Sequence, residues 1–310
     1  MAGKYIGIDL GGTAIKFGEV TEDGKIVAQW QVDTSKDVIG TMAEEIKSHY
    51  DLADIDGIGM TVPGPISNKG FLPVCANVPE IKNTYPAKDL SAKLGAEGSH
   101  IKCAAGNDGK LAALGEYAFG AAKKYNSLIM ATIGTAIGGG IILDGGNMIY
   151  GAHDVAAELS HIHVKDGEEV QCGCGGHGCL EQYASGTGLV REAKRALDRS
   201  DEPSALRVID RDKMQAVDVV NAAKHGDALA DGVVRYCFGY LGQEFANLSV
   251  IIDPEVYIIG GGVSKAGQYL IDVIREKYES SIHLFKEPAD IVLAELGNDA
   301  GILGAAKLVM

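Results

Sequence analysis

The fold of this chain is decided by the stretch YIGIDLGGTAIKFGEV at residues 5–20. Its apolar first part predicts a buried strand over 4–9, which ends at Asp9. A Gly-Gly-Thr turn follows, and the next apolar segment predicts a second strand from Ile15 to Val20. The chain therefore opens with two strands joined by a glycine-rich turn.

The same pattern begins again near the middle of the chain. The tetrapeptide GTAI at 12–15 is repeated at 134–137, and strands are predicted on both sides of the second copy, at 127–133 and 138–143. A repeat in the same strand–turn–strand context indicates two related domains. Predicted strands alternate with predicted helices along the rest of the chain, which is typical of an α/β architecture. Helices are expected at 37–50, 186–199, 216–224, 227–251, 266–279 and 300–307, further strands at 25–32, 55–62, 101–105 and 257–259, and loop at 66–90.

The composition argues against several classes of protein. The 310 residues carry 28 Lys and Arg against 42 Asp and Glu, a net charge of −14, and have no basic cluster. This charge disfavours nucleic acid and anionic membranes as partners. The uncharged stretch 125–143 contains glycines that suit strands better than a membrane helix. No secretory signal pattern is present, and the isolated Cys75, Cys103 and Cys237 suit reduced thiols, so a cytoplasmic location is expected.

Half of the six cysteines lie within eight residues, in the run CGCGGHGCLE at 172–181. Three thiolates and one imidazole satisfy the tetrahedral coordination of Zn²⁺, so Cys172, Cys174 and Cys179 predict a closed, structural zinc site. His161 upstream and His177 inside the run are both candidates for the fourth ligand, and the spacing favours neither. A glycine-rich loop with free thiols or a disulfide is the alternative.

The two Gly-Thr turns are suited to a polyanion, because their backbone N–H groups can approach phosphate oxygens. No Walker sequence is present, and the GxGxxG match at 173–178 belongs to the cysteine run. Asp9 is placed to orient Mg²⁺ through water, although it could instead cap the turn. The glycines at 260–262 and Gly301 could form the floor of an adenosine site or simply allow tight turns.

Several polar residues could act on a sugar. Asn107 and Asp108 lie between a predicted strand and a predicted helix, where a carboxylate can accept a proton from a substrate hydroxyl during phosphoryl transfer. Asp108 could instead cap the helix. Glu158, His161 and Glu181 flank the cysteine run and could bind sugar hydroxyls. The alternatives are exposed carboxylates and a histidine that only binds metal or packs in the core.

The motifs resemble those of the ROK family and occur in the family's order along essentially the whole chain. The cysteine motif is the most specific of them. The matching motifs are DLGGT (9–13), VPGP (62–65), NDGKLAALGE (107–116), IGTAIGGG (133–140), ELSHIHV (158–164), CGCGGHGCLEQYASG (172–186) and IIGGGVS (258–264).

The resemblance implies a two-domain α/β fold of the actin/Hsp70/hexokinase (ribonuclease H-like) type, with an interdomain cleft that closes on sugar and ATP. The first domain is expected at 1–118, completed by the C-terminal helix at 298–310, and the second, with the zinc loop, at 119–297. The implied activity is ATP-dependent phosphorylation of a hexose at its 6-hydroxyl, with glucose as the expected substrate. Mg²⁺ and a structural Zn²⁺ are the implied metals, and a homodimer or homotetramer is the expected assembly.

The resemblance also implies roles for individual residues. Asp108 is the expected catalytic base. The implied zinc ligands are His161, Cys172, Cys174 and Cys179, and the implied sugar contacts are Gly64, Asn107, Asp108, Glu158, His161 and Glu181. The implied ATP and Mg²⁺ contacts are Asp9, Gly11, Gly12, Thr13, Gly134, Thr135 and Gly138, with Gly261, Gly262 and Gly301 at the adenosine.

Three departures from the family pattern bear mainly on the preferred sugar. Gly109-Lys110 stands where small residues usually follow Asn-Asp, Leu159-Ser160 precedes His161 where the family has x-Gly, and Ala14 follows the first Gly-Gly-Thr. A kinase for N-acetylmannosamine, N-acetylglucosamine, fructose or a β-glucoside is therefore the alternative. A sugar-sensing regulator of the family is a weaker one, since the charge is unsuited to DNA and the first strand begins near residue 4.

Overall fold

Residues 3–284 and 287–310 are described in the computed structural model. The first sheet contains β1 (Tyr5–Leu10), β2 (Ala14–Val20), β3 (Ile26–Asp33), β4 (Gly57–Val62) and β5 (Lys102–Asn107). Its order is β3-β2-β1-β4-β5, in which β1, β4 and β5 are parallel and β2 is antiparallel to both of its neighbours. The carboxyl ends of the three parallel strands therefore meet at one edge, which brings together Asp9, Thr61 and Asn107.

The second sheet repeats this topology. It contains β6 (Leu128–Ile133), β7 (Ile137–Leu143), β8 (Asn147–Met148), β9 (Val256–Gly260) and β10 (Asp290–Leu293), in the order β10-β9-β6-β7-β8. Counted from its own first strand, each sheet has the order 3-2-1-4-5, and a GTAI turn joins the first strand to the second in each. This shared order supports the two related domains that the repeat predicted.

The helices agree with the predicted ones to within a few residues, with two exceptions. Pro86 begins a helix inside the segment expected to be loop, since proline is well suited to the first helical position, where no N–H is needed. The short α4 is the second exception, and the strands β8 and β10 also escaped prediction. The helices are α1 (Val38–His49), α2 (Pro86–Leu94), α3 (Asp108–Phe119), α4 (Glu181–Ala184), α5 (Gly186–Arg199), α6 (Ala216–Lys224), α7 (Ala228–Ile251), α8 (Gln268–Ser281) and α9 (Ala300–Lys307). Across the described ranges, no helix has both the length and the apolar character needed to cross a membrane.

The chain divides into two compact units. The first comprises Met1–Asn126, Gly140–Ala157 and Glu295–Met310, and the second comprises Ser127–Gly139 and Glu158–Ala294. These bounds differ from the expected domains chiefly at 140–157, which belongs to the first unit. The chain passes from the second unit to the first within β7. Because β7 is one continuous strand, its sequence does not mark this boundary.

The C-terminal helix α9 belongs to the first unit and packs directly on its sheet. Gly7 of β1 and Gly59 of β4 are paired in register. A Cβ at either position would overlap a helix carbonyl oxygen, that of Ile302 or Ala305 respectively. Only glycine therefore permits so close an approach of the helix backbone to the strands.

Candidate active site

The carboxyl edge of the first sheet holds Asp9 in place through the neighbouring strand. Its Oδ1 accepts a hydrogen bond of 2.7 Å from Thr61 Oγ1, and Lys16 Nζ lies 3.9 Å from its Oδ2. The turn is closed by its own backbone, with Gly11 N donating to Ala14 O at 3.0 Å. Asp9 therefore does not cap the turn, and its side chain remains 27% exposed at the sheet edge. A partly exposed carboxylate of this kind suits a hydrated Mg²⁺.

Asn107 caps α3 and connects it to the loop after β4. Its Oδ1 accepts from Lys110 N at 3.1 Å, and its Nδ2 donates to Gly64 O at 3.2 Å. Asp108 is the first residue of the helix, and its Oδ1 accepts from Gly109 N at 2.8 Å. The capping role considered for Asp108 is thus performed by Asn107. The structure brings Gly64, Asn107 and Asp108 together in the first unit.

Four metal-ligating side chains converge in the second unit. Ligand atoms of His161, Cys172, Cys174 and Cys179 all lie within 4.8 Å of one another. The Cys172 Sγ to His161 Nδ1 and Cys174 Sγ to Cys179 Sγ distances are both 3.6 Å. Tetrahedral ligands about 2.3 Å from Zn²⁺ would lie roughly 3.8 Å apart, so this group fits the ion. The cysteines are not paired in disulfides, and His177 Nδ1 instead lies 3.0 Å from Glu168 O.

The backbone of this segment, residues 161–181 (the zinc loop), folds back on itself. Leu180 N donates to Ile162 O and Val164 N donates to Gly178 O, both at 2.8 Å. Gly178 has φ +72°, and a Cβ there would overlap Lys165 O. The glycine in the cysteine run is therefore needed for both its conformation and its close contact.

The three thiols of the zinc loop differ in their pKa values. Burial raises the pKa of Cys172 and of Cys179, whereas a backbone N–H of Gly176 lowers the pKa of Cys174. Cys172 Sγ donates to Glu181 Oε1 at 2.9 Å. Because metal ligation removes the thiol proton, it leaves that carboxylate oxygen for another donor, such as a hydroxyl.

Glu158 and His161 lie at the two ends of a single 3₁₀ turn. Glu158 precedes the turn, and its carbonyl accepts from His161 N at 3.1 Å. The buried hydroxyl of Ser160 donates to Ile137 O at 2.8 Å and so fixes the turn to β7. Ser160, a departure from the family's glycine, thus has a structural reason in this chain.

A cavity of about 750 Å³ lies beside the second GTAI turn, entirely within the second unit. Gly134 and Thr135 of the turn line it, together with Gly186 and Thr187 at the start of α5 and Gly262 after β9. Its other lining side chains are mainly apolar, from Val190, Met214, Val217, Val220 and Val263, with Gln215, Asn221 and Lys265 as the main polar ones. Its size and mixed lining are typical of a small-molecule site.

The three glycines expected at the adenosine differ in their surroundings. Gly261 has φ +82°, and a Cβ there would lie 2.5 Å from Ile133 O, so it is required by the turn itself. Gly262 faces open space and lines the cavity. Gly301 lies in the first unit, where a Cβ would come 3.0 Å from Asp9 Oδ1, and Gly138 lies within β7. Neither Gly301 nor Gly138 lines the cavity.

The α5 and α6 walls of the cavity were not found from the sequence. Gly186 N donates to Gly134 O at 2.8 Å, which joins the start of α5 to the GTAI turn. The sequence did contain one signal, because Gly186-Thr187 is another Gly-Thr pair and follows the helix-capping Ser185. Gln215 and Asn221 offered no comparable local signal.

Comparisons with known proteins agree with this architecture. The sequence profile of the ROK family matches residues 5–310. The glucokinase of Halalkalibacterium halodurans is 36% identical, over 98% of this chain and 94% of its own length, and that of Streptomyces coelicolor is 33% identical, over 99% and 97%. The crystal structure of a ROK family glucokinase from Streptomyces griseus, in complex with glucose and AMPPNP, superposes with a TM-score of 0.80 at 32% identity and covers 99% of each chain. The predicted fold class is confirmed, and the chain belongs to the ROK family.

Proposed function

We propose that this protein is an ATP-dependent hexose kinase that converts glucose to glucose 6-phosphate. The observation that carries the proposal is the full-length similarity to a ROK family glucokinase solved with glucose and AMPPNP. The curated relatives that match nearly the whole chain include glucokinases from Halalkalibacterium halodurans and Streptomyces coelicolor. The unpaired cysteines support a cytoplasmic enzyme, and a homodimer or homotetramer remains the proposed assembly.

The nucleotide is proposed to bind at the two Gly-Thr turns. The cavity beside Thr135 would take the nucleoside, because its volume of about 750 Å³ lies within the usual range of small-molecule sites. Gly11, Gly12 and Thr13 would contact the phosphates, and Asp9 would hold Mg²⁺ through water. When bound, Mg²⁺ neutralises charge on the transferred phosphoryl group.

Asp108 is proposed to act as the general base. Its carboxylate accepts the proton of the sugar 6-hydroxyl as that oxygen attacks the γ-phosphorus, and the bond from the γ-phosphorus to the β,γ-bridging oxygen breaks to release ADP. Asn107 and Gly64, which are joined by a hydrogen bond next to Asp108, would orient the sugar. Glu158, His161 and Glu181 would bind its remaining hydroxyls, and zinc would hold the loop that carries two of them.

The base is tested with Asp108→Asn, which keeps the size of the side chain but removes the proton acceptor. We expect kcat to fall by about 10²- to 10⁴-fold while the dissociation constant for glucose, measured by calorimetry, stays within a factor of about two. Asp89→Asn, which changes an exposed carboxylate on α2 of the same unit, is the control. Normal turnover by Asp108→Asn would exclude the assigned role.

The sugar is tested by measuring ADP release with Mg²⁺-ATP and glucose, mannose, fructose, N-acetylglucosamine, N-acetylmannosamine or cellobiose. Turnover highest with glucose supports the proposal. Higher turnover with another sugar would keep the mechanism but reassign the substrate. No turnover with any of them, by folded protein with zinc bound, would contradict the kinase assignment for this panel.

A further inference from the structure

Glu168 is a buried carboxylate in the zinc loop that the proposed reaction does not use. Its side chain is 2% exposed. Arg195 donates two hydrogen bonds of 2.9 Å to it, one to each oxygen, Tyr183 Oη donates one of 2.6 Å, and Val170 N donates one of 3.0 Å. Paired Arg–carboxylate hydrogen bonds of this kind are strong and directional. Glu168 is therefore held in one position by four donors.

These donors connect the loop to the helices that follow it. Tyr183 lies on α4 and Arg195 on α5, so the Glu168 carboxylate joins the middle of the zinc loop to both. A parallel connection runs through Gln182, whose Oε1 accepts from Cys179 N at 3.0 Å and whose Nε2 donates to Val170 O at 2.8 Å. Residues 168–170 are thus tied to α4, whose first residue is Glu181.

The charges around Glu168 favour its ionised form. The hydrogen bonds from Arg195 hold the pKa of Glu168 well below its usual range. Arg195 also contacts Glu192 at 2.8 Å, and Arg191 lies 3.6 Å from Glu168. Two arginines and two glutamates therefore balance in this cluster, and neutralising Glu168 would leave the partly buried Arg195 without its main partner.

We propose that Glu168 is a positioning residue, a second anchor beside zinc that orients Glu181 toward the sugar. Helix α4 has only four residues, too few to hold a fixed direction without tertiary contacts. Zinc would hold the chain before Glu181 through Cys179, and Glu168 holds the chain after it through Tyr183. The link to sugar binding rests on the proposed function, whereas the anchoring of the loop does not.

The first test compares Glu168→Gln with Glu169→Gln in the zinc-loaded, full-length protein. Both remove one negative charge, but Glu169 is exposed. We expect Glu168→Gln to raise the glucose KM about tenfold while the ATP KM stays within a factor of about two, as for an outer residue that orients a binding group. Glu169→Gln should match the wild type. An unchanged glucose KM in Glu168→Gln, or an equal rise in both KM values, would overturn the proposal.

The second test does not depend on activity. The rate at which a chromogenic chelator removes zinc should increase in the order wild type, Tyr183→Phe, Glu168→Gln, because the loop is progressively less restrained. Tyr183→Phe removes only one of the four hydrogen bonds, so it also serves if Glu168→Gln does not fold. Equal rates in wild type and Tyr183→Phe, together with an equal glucose KM, would refute the anchor. A wild type that phosphorylates no sugar would contradict the proposed function instead, while the zinc-release rates would still decide the anchor.

Discussion

The two GTAI turns occupy the same place in two sheets of the same strand order, yet they have different neighbours. Asp9 stands three residues before the first GTAI and is held by Thr61, whereas Ala131 stands at the matching position of the second. The second turn instead lines a cavity of about 750 Å³. The shared motif thus specifies a strand–turn–strand fold, and the surrounding residues differ: a carboxylate precedes the turn in one copy, and a cavity of small-molecule size lies beside it in the other.

The difference arises from the segment that follows the third strand of each sheet. Between β3 and β4 the chain has one α-helix, α1, whereas between β8 and β9 it has the zinc loop and α4–α7. After the fourth strand, both copies continue as helix, strand and helix, through α2, β5 and α3 or through α8, β10 and α9. The zinc ligands, the Glu168 cluster and the α5 and α6 walls of the cavity all lie in the longer insertion.

The largest effect is expected from Gly59→Ala, which disrupts the close contact between β4 of the first sheet and α9. The added methyl group would overlap Ala305 O of α9, a backbone atom that cannot move without shifting the helix. We expect a loss of about 3 kcal/mol in the free energy of unfolding, at the upper end for overpacking. Denaturant titration followed by circular dichroism measures it.

Gly232→Ala is the control, because a Cβ at this exposed position of α7 meets no atom within 4 Å. It should increase helix stability by about 0.5–1 kcal/mol. Equal effects of the two substitutions would show that the helix does not rest on the sheet as closely as described.

The next effect tests whether the charge before the first turn matters. Asp9→Asn should lower kcat about 10²-fold, because a neutral amide orients hydrated Mg²⁺ less well, and raise the Mg²⁺ concentration needed for half-maximal rate. Steady-state kinetics over a Mg²⁺ series measures both. Asp33→Asn, at an exposed carboxylate ending β3, should leave both unchanged. If Asp9→Asn kept the wild-type Mg²⁺ dependence, the expected functional difference between Asp9 and Ala131 would be contradicted.

The smallest effect separates the two turns by a matched pair. Thr135→Val removes one hydroxyl from the cavity lining and should raise the ATP KM about threefold to tenfold, the value of one hydrogen bond. Thr13→Val removes the equivalent hydroxyl outside the cavity and should act mainly on kcat, because its proposed contact is to the phosphates. Kinetic constants for ATP at saturating glucose distinguish them. The same change in both constants for both variants would mean that the two turns share one role.

Local residue pattern by itself determined most of the fold and the composition of the candidate site. The repeated turn, the strands of the first sheet, the helix after Asn107 and the three cysteine ligands all follow from short-range properties, namely apolar runs, glycine turns and ligand spacing. The ROK family followed from the order of these motifs.

Only the tertiary structure decided the rest, because it depends on residues far apart in the chain. The convergence of His161 on the cysteines, while His177 contacts Glu168 O, follows from the folding of the zinc loop. The walls of the cavity require the start of α5 to bond to Gly134 O, 52 residues earlier. The role of Glu168 depends on Arg195, 27 residues later. Side chains on separate elements come into contact only when packing brings those elements together, and a local sequence pattern does not predict such long-range contacts.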